Sequence, residues 1–428
     1  MKKSFKTSVF ILLIGGLLTK ILGMFIKIIM SRLMGTEGIG LYMMILPTFT
    51  LFIGLSQFGL PIALSKLVAE DKRNNIKLFF SLIPISLIIN ILLIIIIILI
   101  APYLSNNLLH DKRLLLPILS ISLVIPFSSI SSICRAYFFG KEEMTPHVIS
   151  TVTEDIIRLI MMIIGIPFFI NKGLSYTLCF IILSNIISEL TSIIILIFFL
   201  PKNIKLKRNY LKPSKTHIME SLSIGIPNTT GRLIGSIGYF LEPIILTITL
   251  IAFGYSNNYI TNEYGILSGY VMPLLLLPSF FTLAISQALL PAVSKEYSNK
   301  NITAVKKRIK QAVIYSLLIG IPITIILMII PNIFLKLIYN TNKGITYMKF
   351  LAPICLIQYV QAPLLSSLDA MGKSKDSMKA TTIGVIIRIV FLIILSPLKI
   401  GLWSLIISIS INVIIVTLYS FKKVKKLI

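Results

Sequence analysis

The sequence predicts an all-α polytopic membrane protein: twelve transmembrane helices in two six-helix lobes, related by a pseudo-two-fold axis around a central cavity. Three observations carry this. First, the chain is 56% hydrophobic and only 13% charged, with a mean hydropathy of +0.94, whereas soluble domains carry about 25% charged residues. Second, apolar runs of bilayer-spanning length recur along all 428 residues. Third, the second half repeats motifs of the first in the same order.

The expected spans are 8–30, 39–64, 77–100, 114–139, 147–170, 174–200, 218–252, 264–290, 311–330, 346–368, 379–397 and 400–421. The start, MKKSFKTSVF, resembles a signal sequence for a few residues. The run that follows is too long and lacks a small-residue cleavage site, so it reads as a retained first span. Charge fixes the expected orientation. Of the 41 Lys and Arg residues, 28 fall in segments on the side of the N-terminus and 8 on the other side. Positive charge concentrates on the cytoplasmic side of such proteins, so both termini are expected in the cytoplasm and the span count is expected to be even. The same accounting explains the net charge of +26 without nucleic acid, for which there is no soluble domain. Cys134, Cys179 and Cys355 lie in apolar runs without metal-ligand spacing.

The basic stretch 201–217 divides the chain into a lobe at 1–200 and a lobe at 218–428. SQFGLPIALSK (Ser56 to Lys66) returns as SQALLPAVSK (Ser286 to Lys295), Gly140-Lys141 as Gly372-Lys373, and Ile156-Ile157-Arg158 as Ile386-Ile387-Arg388. Lys20-Ile21-Leu22-Gly23 is echoed by Arg232-Leu233-Ile234-Gly235. Six spans per copy make the repeat parallel, and two equivalent lobes can rock about a shared site in alternating access.

The first span organises the candidate site. Gly16, Lys20, Gly23 and Lys27 fall at i, i+4, i+7 and i+11 and so share one helical stripe. A Lys at membrane depth costs about 2.5–3.5 kcal/mol on insertion scales, so it faces protein or a watery cavity unless it snorkels to an interface. In the seventh span Asn228, Arg232, Gly235, Tyr239 and Glu242 form a matching polar stripe. Glu154 and Arg158 stand at i and i+4, a spacing that suits either an ion pair or a functional site. Arg388 is the repeat-mate of Arg158 but has Gly384 where Glu154 stands, and Glu189 is alone in its span. Cations in or beside spans (Lys20, Lys27, Arg32, Arg135, Arg158, Arg232 and Arg388) outnumber the membrane-depth acids Glu154, Glu189 and Glu242. Such a cavity suits an anionic cargo, above all a phosphate or pyrophosphate. Glu242 is the foremost carboxylate for a coupling cation or proton, with Asn228, Glu154 and Glu189 as further polar candidates. No nucleotide loop, metal motif or catalytic triad is present, so no cofactor and no enzyme activity are expected.

GTEGIGLYMMILP (Gly35 to Pro47), LPIALSKLVAE (Leu60 to Glu70) and CRAYFFGKEEMTPHVIS (Cys134 to Ser150) resemble the sporulation-type polysaccharide flippases, a branch of the MOP superfamily. That superfamily also holds the MATE antiporters and the lipid II flippases. The resemblance implies a monomer in the bacterial cytoplasmic membrane that flips a lipid-linked oligosaccharide, an undecaprenyl-pyrophosphate peptidoglycan precursor. It further implies that Lys20 and Arg232 occupy cationic headgroup positions, with Lys27 one residue out of step. The branch has fourteen spans, against the twelve read here. Two other readings remain at this point: a MATE-type antiporter of cationic drugs or metabolites, and a membrane-embedded glycosyltransferase. The first lacks an acid in span one; the second lacks a large outer loop with catalytic acids.

Overall fold

The computed structural model describes residues 5–70, 74–200 and 215–428, the side chains of 5–9, 13, 215–218, 226–228 and 230–232 excepted. The basic stretch 201–217 therefore lies outside the described residues except for the backbone of its last three. The described chain is helical. In order come α1 (Phe5–Gln57), α2 (Leu60–Ala69), α3 (Asn75–Tyr103), α4 (Leu115–Gly140), α5 (Met144–Ile170) and α6 (Leu174–Phe198). Then follow α7 (Lys215–Ala252), α8 (Asn257–Gly265), α9 (Met272–Leu275), α10 (Ser279–Ser298), α11 (Ile302–Ile329), α12 (Pro331–Tyr339), α13 (Ile345–Ala370), α14 (Ser374–Leu395) and α15 (Trp403–Leu427).

Among the described residues nine helices are long and apolar enough to cross a membrane, or ten if the bent pair formed by 257–275 and 279–298 is one span. The sequence reading expected twelve, and two differences have visible causes. The first two expected spans are two helices that meet at Gly35, where φ 67° and ψ −170° interrupt the run, so together they make one of the nine. Glycine reaches that conformation without the steric cost a side chain brings. Beyond the break, Glu37 is fixed by Arg113 at 2.6 Å, and Arg113 also holds Asp111 at 2.8 Å. The GTEG motif is thus a helix break with an anchored acid beside it. The second difference is α5, a helix of 27 residues that carries Glu154, Asp155 and Arg158 in its middle.

The chain forms two compact units, Met1–Phe240 and Leu241–Ile428, so α7 begins in one and ends in the other. Each unit repeats one packing pattern. In the first, α4 packs on α2, α3 and α6, and α5 packs on α6. In the second, α13 packs on α10, α11 and α15, and α14 packs on α15. The pattern extends to the pairs made by α5 and α14: α5 lies on α1, while α14 meets the end of α7 through Ser396 Oγ, which donates to Thr249 Oγ1 at 3.1 Å. The copies of the repeat thus build the same neighbours. In the first unit Leu64, Leu78, Leu82, Tyr137 and Phe138 are buried in one cluster. In the second, Val293, Val305, Leu368 and Val424 are buried likewise.

One repeated motif folds differently in its two copies. In SQFGLP, Phe58 and Gly59 take φ 43° and 73° and separate α1 from α2. In SQALLP, Leu289 stands at the place of Gly59 and α10 runs through unbroken. Gly59 also serves a close approach: a Cβ there would lie 2.4 Å from the carbonyl oxygen of Gly225 in α7, and a Cβ on Gly225 would lie 2.9 Å from the Gly59 carbonyl. Gly225 sits within a helix, so its lack of a side chain answers to this contact and not to its own backbone. Gly225→Ala should therefore lower the melting temperature of the detergent-purified protein. We expect a cost of about 1–3 kcal/mol from overpacking, despite a gain of up to about 1 kcal/mol in helix propensity. Gly16→Ala, where a Cβ meets nothing within 4 Å, should leave the melting temperature unchanged or raise it.

Candidate functional site: ion networks and the open lysine stripe

Charge in the described bundle falls into two kinds, paired and unpaired. In the first unit Arg135 of α4 holds Glu154 of α5 at 2.5 Å and Glu189 of α6 at 3.0 Å. Glu154 is shared: its other oxygen is 2.5 Å from Arg158, which also holds Asp155 at 3.1 Å. Arg158 Nη2 further donates to Ser188 Oγ at 3.4 Å. Glu154 and Glu189 are each only 6% exposed. Two guanidinium groups and three carboxylates thus lock α4, α5 and α6 together. Burial of this kind is tolerated only when each charge has close partners.

The second unit solves the same problem with a different acid. Arg388 of α14 pairs with Glu242 of α7, and Tyr264 donates to the other Glu242 oxygen at 3.2 Å. The position that holds Glu154 in the first unit is Gly384 here, and its carbonyl accepts instead from Asn412 Nδ2 at 2.6 Å. Three expectations change accordingly. Arg388, which the sequence shows without an acid one turn earlier, is nonetheless paired, because its acid comes from a distant helix. Glu189 is not alone, because Arg135 reaches it. Arg135, named among the cations for an anionic cargo, is an interior ion-pair residue of α4. Glu242, the foremost coupling candidate, already has Arg388 and Tyr264 on its two oxygens.

The first-span lysines differ. Among the described residues neither Lys20 nor Lys27 has an acidic partner, and the two lie within electrostatic reach of each other. Lys20 is exposed and Lys27 is half-buried. The helix face they occupy is open: a Cβ at Gly16 or at Gly23 would meet nothing within 4 Å. The opposite behaviour is seen one residue away, where a Cβ on Gly15 would lie 2.5 Å from Val148 of α5. Packing against α5 therefore uses the Gly15 side of α1 and leaves open space at the two glycines of the lysine stripe, with Lys20 exposed and Lys27 half-buried. Arg32 is exposed and not without a partner. The side chains of Asn228 and Arg232 lie outside the described residues; Gly235, one turn beyond Arg232, again has open space around it. Among the described residues no group of three or more His, Cys, Asp and Glu side chains is placed to hold a metal ion.

The Arg135–Glu189 contact escaped the sequence because its partners are on different helices, with no short spacing to reveal them. The contacts of Arg158 with Glu154 and Asp155, at i,i+4 and i,i+3, are the parts of either network with a short spacing in the sequence.

Comparison with known proteins agrees with this architecture. The profile of the family described as polysaccharide biosynthesis protein matches residues 5–297, and that of the MatE family matches 268–394. The chain is 32% identical to "Stage V sporulation protein B" of Bacillus subtilis (strain 168), an alignment covering 100% of this chain and 85% of that protein. It is 22% identical to "Lipid II flippase MurJ" of the same organism, covering 89% and 75%. Among solved structures, a lipid II flippase MurJ in an inward closed conformation superposes with a TM-score of 0.74 at 17% identity, covering 96% of this chain and 87% of that one. An inward-facing multidrug resistance MATE family transporter of the MOP superfamily also gives 0.74, at 15% identity, covering 96% and 95%. These structural likenesses establish the MATE-like fold.

The networks make a stability prediction. Arg135→Met should leave Glu154 short of one partner and Glu189 short of its own. The expected loss is about 3–5 kcal/mol, the cost of breaking a buried pair from one side. Arg135→Met combined with Glu189→Gln should recover part of it. Thermal melting of the purified protein measures both, and equal melting temperatures for the wild type and Arg135→Met would contradict the structural role.

Proposed function

The chain belongs to the polysaccharide biosynthesis protein family, and from that premise we propose that this multi-pass membrane protein flips a lipid-linked oligosaccharide across the cytoplasmic membrane by alternating access. The cargo proposed is an undecaprenyl-pyrophosphate peptidoglycan precursor. Its pyrophosphate is bound by cations on span one, and by Arg232 as the repeat-mate of Lys20.

The observation that carries the reading is the contrast between arginines and lysines. Arg135, Arg158 and Arg388 are occupied by carboxylates. Lys20 and Lys27 lie on an open glycine-bearing face without acids. Keeping two like charges in a membrane helix costs stability, and an anionic ligand on that face offsets the cost. A pyrophosphate has the charge and oxygen count to accept from both ammonium groups. In this reading the arginines keep each lobe rigid, and the lysines do the binding. Support for the cargo comes from relatives: one is named for stage V of sporulation, another as a lipid II flippase. The 28-to-8 distribution of Lys and Arg supports cytoplasmic termini, and with them lobes at 1–200 and 218–428 joined by the basic stretch 201–217. The protein is proposed to work as a monomer. A coupling cation or proton would reach Glu242 only if the Arg388–Glu242 pair opened during the cycle.

A second reading, MATE-type export of cationic compounds, is favoured by the equal TM-score to a MATE transporter and by the MatE match over 268–394. Reconstitution separates the two. Liposomes carrying the protein should translocate fluorescent lipid II and should not accumulate a cationic dye. Lys20→Ala and Arg232→Ala should each abolish lipid II translocation while membrane insertion stays intact. Dye accumulation without lipid II binding would favour the antiporter, and full activity in both variants would refute the headgroup assignment.

A further inference from the structure

We propose that one end of the second unit is a binding surface for anionic phospholipid headgroups of the surrounding bilayer, built on Lys307, Lys379 and Lys425. The inference is independent of the cargo and rests on how three helices end.

In α11, Lys307, Ile314, Leu318, Ile321 and Ile325 stand at i, i+7, i+11, i+14 and i+18, a single stripe. In α14 the stripe is Lys379, Ile386, Val390 and Ile393, and in α15 it is Ile414, Leu418, Phe421 and Lys425. Every apolar member of the three stripes is exposed, with Leu318 at 63%, Ile386 at 55% and Phe421 at 55%. All three lysines are exposed too. Each is the polar foot of an uncovered apolar stripe, which is the level at which a lipid's phosphate sits above its acyl chains.

The three feet lie at the same end of the unit. Val305 of α11, Leu368 of α13 and Val424 of α15 are buried in one cluster with Met371, just before α14. Lys423 of α15 pairs with Asp376 of α14 at 3.0 Å, tying those two helix ends directly. This pair occupies the acid in the first turn of α14, which also lies within electrostatic reach of Lys379 and Lys373, so one carboxylate is shared among three cations. Glu296 and Asp369 are the other acids of this end, against thirteen Lys and Arg residues in segments 295–310, 373–379 and 422–426.

Topology alone does not account for the arrangement. Orientation needs positive charge near the span ends but not at any particular helical position. Here α11 and α14 both begin at this end, with Lys307 and Lys379 each in the second turn, while α15 ends here with Lys425 in its last turn, where a cation suits the helix dipole. Phosphodiester oxygens would answer the three lysines and the free N–H groups of the two helix starts together. Lysine suits such a partner: its long stem lies along apolar surface while the ammonium reaches the headgroup.

The test uses the full chain in nanodiscs of mixed phosphatidylglycerol and phosphatidylcholine, with retained lipids counted by native mass spectrometry. The variant Lys307→Gln/Lys379→Gln/Lys425→Gln should retain about tenfold less phosphatidylglycerol than the wild type, with phosphatidylcholine unchanged. The control Lys336→Gln/Lys343→Gln/Lys349→Gln, at exposed positions before and at the start of α13, should retain as much as the wild type. If the triple variant loses its fold, Lys425→Gln alone, near the chain end, should still show a measurable loss. Equal retention by the wild type and the variants, or equal loss in the control, would overturn the proposal. So would saturable binding of inorganic phosphate to these lysines in lipid-free detergent, which would make the site one for soluble anions.

Discussion

The structure depends on the rule that an arginine inside the helix bundle keeps a carboxylate within contact distance. Arg135, Arg158 and Arg388 obey it with four acids, Glu154, Asp155, Glu189 and Glu242. Taking such charges from water costs several kcal/mol per ion, and only close opposite charge with well-formed hydrogen bonds offsets it. The consequence is mechanical. In the first unit three helices are pinned through Glu154, Arg135 and Glu189. In the second, α14 is pinned to the far end of α7. The two units reach the same result from different residues, because Gly384 replaces the acid of the first copy and Glu242 substitutes from elsewhere.

Against that background the first helix is the exception. Lys20 and Lys27 have no acid on the described residues, although they sit within a long apolar segment. The face they share carries Gly16 and Gly23 with open space beside both, whereas Gly15 is pressed against Val148. A helix that spent its close packing on one side and left cations on the other is poorly explained by stability. Under the function proposed above, it is explained by a ligand that arrives and leaves. The same logic, applied at the end of the second unit, distinguishes Lys307, Lys379 and Lys425 from Lys423, which already has Asp376.

Much of the fold was legible in the residues. Apolar runs and the repeated SQ–LP, GK and IIR segments announced a duplicated helical bundle, and the repeated packing of α4 and α13 follows from them. The count of spans was less legible. A reading by hydropathy separates 8–30 from 39–64, and the backbone breaks between them at Gly35, although the helices run closer to the break than the apolar residues do. Nor could periodicity foresee that Gly59 breaks one copy while Leu289 lets the other run through, since that depends on Gly225 arriving from a distant helix. The site was legible in part for a similar reason. Glu154 and Arg158 are one turn apart and declare themselves; Arg135 with Glu189, and Arg388 with Glu242, meet only through tertiary packing. Counting charges in one dimension overstated the free positive charge, because it could not see which cations were already taken.

The most direct measurement is the accessibility of the span-one stripe. Gly16→Cys and Gly23→Cys, on the same open stripe with both lysines kept, each in a chain whose Cys134, Cys179 and Cys355 are replaced by Ser, can be reacted with a membrane-impermeant thiol reagent in sealed vesicles. Labelling from the aqueous phase at both positions, slowed by added lipid II, is the expected result. Labelling by lipid-soluble maleimides alone, with no protection by lipid II, would place the stripe against acyl chains and contradict the headgroup role of Lys20 and Lys27.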